Sequence, residues 1–340
     1  MFPMIRHNHL LWQEITQASE RIDNVQSPEE LLEIVESMRK ISPLQFDRRD
    51  YLLYFVADFT LLITGFYLYR ETGEGLFLFL LMLALFIGII LAIRFYRREK
   101  LPQQLSKKIF QRDLLFDNQI VPIAPETLPI DQLLQQFREF NRGNYRRDIP
   151  DLLKGEVALE GHSHNQPTID FYYFHFHYID EEIIEEKDNA GKPKNRKVYH
   201  HYHRYGLLLD LTKLTKQLLP TLQISADRKL RSKRSDYLPA SISFRKTFSL
   251  TTSEQHFAAK ILTPTMVEQL LKIGKAFKNL NIELNQQLLI AFDNADIIAA
   301  EQNYDLTNID DFILELKEKQ TLPQLTAILT FTQNILNSLR

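Results

Sequence analysis

Seven of the chain's ten histidines fall between positions 162 and 203, and their spacing is the one arrangement here with chemistry in it. His175 and His177 alternate with aromatic residues in FYYFHFHYI. His200, His201 and His203 do the same in VYHHYHRYG, and His162 and His164 lie just upstream. In a strand, residues two apart share a face. If the two runs form one hairpin that turns near Asn189-Ala190-Gly191, His177 lies opposite His203, His175 is diagonal to it, and His201 joins them on that face. His175, His177, His201 and His203 would then present four imidazoles to one ion, and zinc, nickel or copper are the metals that suit such a set. A slip of one residue would bring His200 to that face and send His201 and His203 to the other.

Two rival readings use the same residues. Histidines interleaved with Tyr172, Tyr173, Phe174, Phe176, Tyr178, Tyr199, Tyr202 and Tyr205 also build a cross-strand ladder of half-exposed rings. Imidazoles left unmetallated exchange protons near pH 6 to 7. No carboxylate is positioned in the two runs to orient the rings, although Asp170, Asp180 and Asp210 lie at their ends. No cofactor is expected apart from such an ion, zinc being the first candidate.

Those runs belong to a stretch of period-two patterning from Gly155 to Leu250. Expected strands are Glu156 to Glu160, Thr168 to Ile179, Lys197 to Leu211, Thr221 to Ser225 and Ser241 to Leu250. A helix start at Thr263-Pro264 follows, then a hairpin from Ile282 to Phe292 about Asn285-Gln286, then amphipathic helices around Ile309 to Leu316 and Leu325 to Leu339. Asp131 to Phe140 reads as a helix stopped by Gly143. Strands first and helices later predict an α+β domain over 131–340 with a mixed or antiparallel sheet.

Ahead of that domain the composition changes sharply. Segments 51–69 and 76–95 are each long enough, at about 1.5 Å per residue, to cross a hydrocarbon core of roughly 30 Å. Only Arg70-Glu71-Thr72-Gly73-Glu74-Gly75 separates them, so the pair predicts an antiparallel transmembrane hairpin over 51–96. Arg39, Lys40, Arg48 and Arg49 precede it, and Arg94, Arg97, Arg98 and Lys100 follow it, against Arg70 alone in the turn. That bias predicts two spans with both termini cytoplasmic. The N-terminus lacks the layout of a cleavable secretory signal, so it is expected to be kept. Asp58 falls inside the first span, where a charge is expensive; a hairpin symmetric about its turn places it beside Ile87 and Gly88, with hydrogen bonding to backbone or Thr60, or contact with a second copy, as its expected role.

Segment 1–50 predicts two helices, the second opened by Ser27-Pro28-Glu29-Glu30 as a capping box, packed on the larger domain. Segment 97–130 predicts a juxtamembrane helix and linker, with seven Lys/Arg against two Asp/Glu from Arg94 to Asp113. Such a charge excess suits an anionic leaflet. A second basic run, Arg228, Lys229, Arg231, Lys233 and Arg234, is expected to be a solvated loop.

With 41 Lys+Arg against 43 Asp+Glu, the formal net charge is −2, which gives no basis for nucleic-acid binding. The absence of cysteine rules out disulfides, thiolate zinc sites and cysteine nucleophiles together. No phosphate-binding glycine loop, G-x-S-x-G, H-E-x-x-H or EF-hand loop is present.

The runs FNRGNYRRDIPDLL (Phe140 to Leu153), RYGLLLDL (Arg204 to Leu211), ILTPTMVEQLLKI (Ile261 to Ile273) and IELNQQLLIAFDN resemble the bacterial membrane-protein family filed as domain of unknown function thirty-one thirty-seven. The likeness covers roughly residues 135 to 295, about half the chain. Tyr205 stands where members more often carry Phe before the glycine. It implies a bacterial inner-membrane protein with a β-rich cytoplasmic region, and it implies no catalytic residue. The expectation is therefore a membrane-tethered module that binds a protein or lipid without catalysis, with a possible homo-oligomer. Two alternatives are a metal- or pH-responsive module and a membrane-bound enzyme.

Overall fold

A computed structural model describes residues 3–159, 168–187, 193–232 and 235–339. The chain divides into two compact units, Met1–Asp117 with Ala300–Thr321, and Asn118–Ala299 with Leu322–Arg340.

The first unit is helical. Its elements are α1 (Pro3–Asn24), α2 (Pro28–Arg39), α3 (Arg49–Thr72), α4 (Gly75–Asp117) and a short helix at Ile309–Lys317. Ser27 caps α2 by accepting from the Glu30 amide, while the Glu30 carboxylate reaches back to the amide of Gln26, one residue beyond the usual capping-box partner. The α3 and α4 helices are long and apolar enough to cross a membrane. Large side chains such as Leu53, Phe59, Ile63, Phe79, Met82 and Phe86 point outward from them, the pattern of a lipid-facing surface. Asp58 packs on Gly88, where an added Cβ would come within 2.7 Å of its Oδ2. Its buried Oδ1 has no hydrogen-bond partner, and the Thr60 hydroxyl donates to the Val56 carbonyl instead.

Helix α4 does not stop where the apolar run ends. It continues through buried Pro102 and packs Leu105, Ile109 and Phe110 against Leu11, Ile15, Leu31, Val35, Phe312 and Leu316. Each fully buried Leu, Ile or Phe of this kind contributes about 1.5–3 kcal/mol. The N-terminal helices thus close a core with α4 and with Ile309–Lys317, a helix expected to belong to the 131–340 domain but grouped with the first unit. The juxtamembrane helix expected within 97–130 is the last part of α4 and runs to Asp117.

The second unit is one antiparallel sheet with helices. Its strands are β1 (Val121–Pro122), β2 (Arg146–Ala158), β3 (Thr168–Lys187), β4 (Pro193–Asp210), β5 (Leu222–Ser225), β6 (Ser249–Thr252), β7 (Asn281–Leu284) and β8 (Gln287–Phe292). Their order across the sheet is β1-β2-β3-β4-β8-β7-β5-β6. Leu270, Phe331 and Ile335 from two helices close over Leu222, Ile224, Ile282, Leu284 and Leu288 on one face. The other face holds Phe137, Phe140, Phe174, Phe176, Tyr178 and Leu289.

Three expectations about elements are corrected. Ser241 to Leu250 is not one strand: Ser241 caps a helix over Ile242–Thr247, and the rings of Phe244 within it and Phe248 just past its end meet at 5.2 Å before β6 begins. The helix from Asp131 ends at Gln136, because Phe137 turns extended so that the Glu283 carboxylate can take the amides of Arg138 and Glu139. Strand β2 starts at Arg146, ten residues ahead of its expected start, with Pro150 inside it.

Candidate functional site

Strands β3 and β4 pair in the register that puts His177 opposite His203, His175 opposite Tyr205 and Ile179 opposite His201. The turn at Asn189-Ala190-Gly191 that suggested this register, together with His162 and His164, lies outside the described residues. Side chains therefore alternate as expected along β4, with His201, His203 and Tyr205 on one face and Tyr202, Arg204 and Gly206 on the other.

What fixes β4 in place is on the second face. Arg204, almost fully buried, donates from Nε to Glu139 Oε1 at 2.6 Å and from Nη2 to the Asn279 carbonyl at 2.9 Å, and it also pairs with Asp293. Arg142 joins the cluster through Asp227 at 2.5 Å. Two residues along, Gly206 sits so close to the Ile290 carbonyl that no side chain fits, and a Cβ there would lie 2.7 Å from the Phe174 ring. Burial pushes the Glu283 carboxyl up, against the amides and Asn281 amide group that bind it.

On the histidine face the rings do not converge on one point; they pair off. Asp151 Oδ2 lies 2.9 Å from His175 Nδ1, and His175 Nε2 lies 2.9 Å from His203 Nδ1. One rung along, Asp148 Oδ1 lies 2.8 Å from His177 Nδ1, and His177 Nε2 lies 3.0 Å from His201 Nδ1. With ionised carboxylates, which only accept, the hydrogen on each first imidazole must be at Nδ1. When that ring is neutral its Nε2 accepts, so the second imidazole donates from its own Nδ1. Each chain of three therefore ends in a lone pair on Nε2 of His203 or His201.

The same rings also form the ladder. His177 stacks on His203 at 4.8 Å and His175 on Tyr205 at 4.6 Å. Burial first, then the neighbouring His175, His177 and His201, hold the His203 imidazole below the ordinary histidine range. Among the described residues, no three His, Asp or Glu side chains form a group that could hold a metal ion as they stand.

The carboxylates that orient the rings are not those offered by the strand ends. Asp170 pairs with Lys154 and Lys213, Asp180 with Lys229, and Asp210 caps the Thr212 amide. Asp148 and Asp151 come from β2, and the only sequence signal for them was the D-I-P-D tetrad. His200 points to the opposite face and meets Glu182 at 3.1 Å. Of the second basic run, Lys229 lies over the Tyr202 ring at 4.2 Å and Arg231 donates to the carbonyls of Arg245 and Lys246. Lys233 and Arg234 lie outside the described residues.

Beyond the histidines the hairpin leaves the sheet. Strand β2 pairs no further than Ile179, and β8 pairs only with Tyr205–Asp210. Among the described residues, the last eight of β3, Asp180–Lys187, pair with no strand but β4 and make an arm about 25 Å long at roughly 3.3 Å per residue. Its β3 side reads DEEIIEEK and its β4 side PKNRKVYH. Lys197 meets Glu181 and Arg196 meets Glu186 across it, and Ile183 and Ile184 are exposed.

The chain matches no protein family, no curated protein and no solved structure.

Proposed function

We propose that this chain is a bacterial inner-membrane protein whose hairpin, with both termini cytoplasmic, tethers a non-catalytic protein-interaction module. The observation that carries this reading is the arm: from Pro193 to Arg204, β4 has no strand on its outer side among the described residues. An open edge offers unpaired backbone groups to an added strand. Short charged edges usually discourage such pairing, but this one is charged with a single sign. Outside buried Arg204, the stretch from Pro193 carries Lys194, Arg196 and Lys197 and no acid, so an acidic extended segment is the partner it fits. Apolar contact would come from exposed Ile183, Ile184, Tyr199 and Tyr202.

The test is a photo-crosslinking residue at Val198 of the full chain in its own membrane. Adducts that vanish when Arg196 and Lys197 are changed to Glu, and that are missing when the crosslinker sits at Leu238, support the arm. Equal yields at Val198 and Leu238 overturn it. Orientation is checked separately, by reporter fusions at each terminus; periplasmic activity would exclude a cytoplasmic module.

A further inference from the structure

We propose that the paired histidines are a binding site for a divalent transition metal of the copper or nickel type, with His175 and His203 as one two-nitrogen seat and His177 and His201 as the other. This rests on the histidine face and is independent of what the arm binds.

Three features support it. Metal-binding imidazoles commonly donate their second nitrogen to a carboxylate, which fixes the ring and strengthens the ligand. Asp151 and Asp148 stand in that relation to His175 and His177, at 2.9 and 2.8 Å. The nitrogens within each pair are 2.9 and 3.0 Å apart. Two nitrogens at about 2.0–2.1 Å from one ion lie roughly 2.9 Å apart at a right angle and roughly 3.3 Å apart at a tetrahedral one. The pair spacing therefore fits the square or octahedral preference of copper and nickel with little movement of the strands; the rings need only tilt so that both lone pairs aim at a shared point. Lastly, His201 and His203 are exposed, so water can complete the coordination sphere.

Proton accounting is simple. When the ion enters, His203 gives up the hydrogen it shared with His175 and carries one on Nε2 instead, facing solvent. The same exchange occurs at His201. No net proton leaves either neutral pair, and the two carboxylates offset part of the ion's charge.

The experiment adds copper(II), in a second series nickel(II), to the purified full-length chain in detergent and measures affinity and the copper electron-paramagnetic-resonance spectrum. Binding of at least one ion per chain with two-nitrogen coupling is expected. The joint variant Asp148→Asn with Asp151→Asn keeps every ring and should weaken binding tenfold or more. Changing His175, His177, His201 and His203 together to Ala should leave only the background of the six other histidines, His7, His9, His162, His164, His200 and His256, while His200→Ala should bind like the parent. Binding that survives the fourfold variant, or that ignores the two Asn substitutions, overturns the site. A four-nitrogen spectrum overturns the pairwise assignment. None of these readings depends on crosslinking at the arm, so failure of one proposal is distinguishable from failure of the other.

Discussion

Asp148 and Asp151 stand three residues apart on β2, yet they face His177 and His175, which stand two apart on β3. In a regular ladder residues three apart lie on opposite faces. The register shift between Asp148 and Asp151 absorbs one extra residue, and Ile149 is buried while Pro150 is exposed. Pro150 is therefore the extra residue, which a strand tolerates only at a bulge or edge.

Deleting Pro150 should then preserve the site. Asp148, Ile149 and Asp151 would become an ordinary alternation, with both carboxylates still under their histidines. The imidazole nitrogen spectra of His175 and His177 are expected to keep their Nδ1–H form. Loss of that form at His177 alone would show that the bulge does more than absorb a residue.

The sequence pattern made the hairpin legible because turn position and period two are local, so the His177–His203 register and the Asp58–Gly88 approach both followed from counting. The carboxylates were not legible, because a bulge breaks the count and a proline in a charged run argues against a strand. Arg204 was hidden for another reason: its place among aromatic residues gives no hint that Glu139, sixty-five residues away, is waiting for it. Ser241 misled because Phe244 and Phe248, spaced for one helical face, also satisfy an alternating pattern.

Removing Arg204 should be costly. Arg204→Met leaves Glu139, which is fully buried, with one cation fewer, and breaking such a pair costs about 3–5 kcal/mol. Thermal unfolding of the full chain should show the loss. The double variant Arg204→Met with Glu139→Gln is expected to recover part of it; equal stability of parent and single variant would mean that Arg142 alone satisfies Glu139.

In the helical unit, Asp113 is buried with Oδ2 unpartnered, and burial, helped by nearby Asp117, pushes its carboxyl up to about 7. The folded unit therefore binds a proton that the unfolded chain has already released above its ordinary value of 3.8. This contribution is complete below that ordinary value and fades as pH rises through about 7. Asp113→Asn should raise the melting temperature at pH 8 more than at pH 5. An equal shift at both pH values would show that the group does not titrate in that range.

At the hairpin seam, Gly88→Ala would drive a methyl against Asp58 Oδ2. Overpacking of this kind costs about 1–3 kcal/mol. Asp58→Ala should relieve it, so the double variant is expected to be more stable in detergent than Gly88→Ala alone. If the two effects simply add, the side chains do not meet.

Helix α4 runs for 43 residues, about 65 Å at 1.5 Å each, without a break between its greasy half and the half that carries Leu105 and Ile109. Pro102 lies between the two and removes one backbone hydrogen bond of the helix. In a bilayer, a change of thickness that leans the span would reach the packed bundle through the turn around that proline, so the residue sets how much of the tilt is passed on.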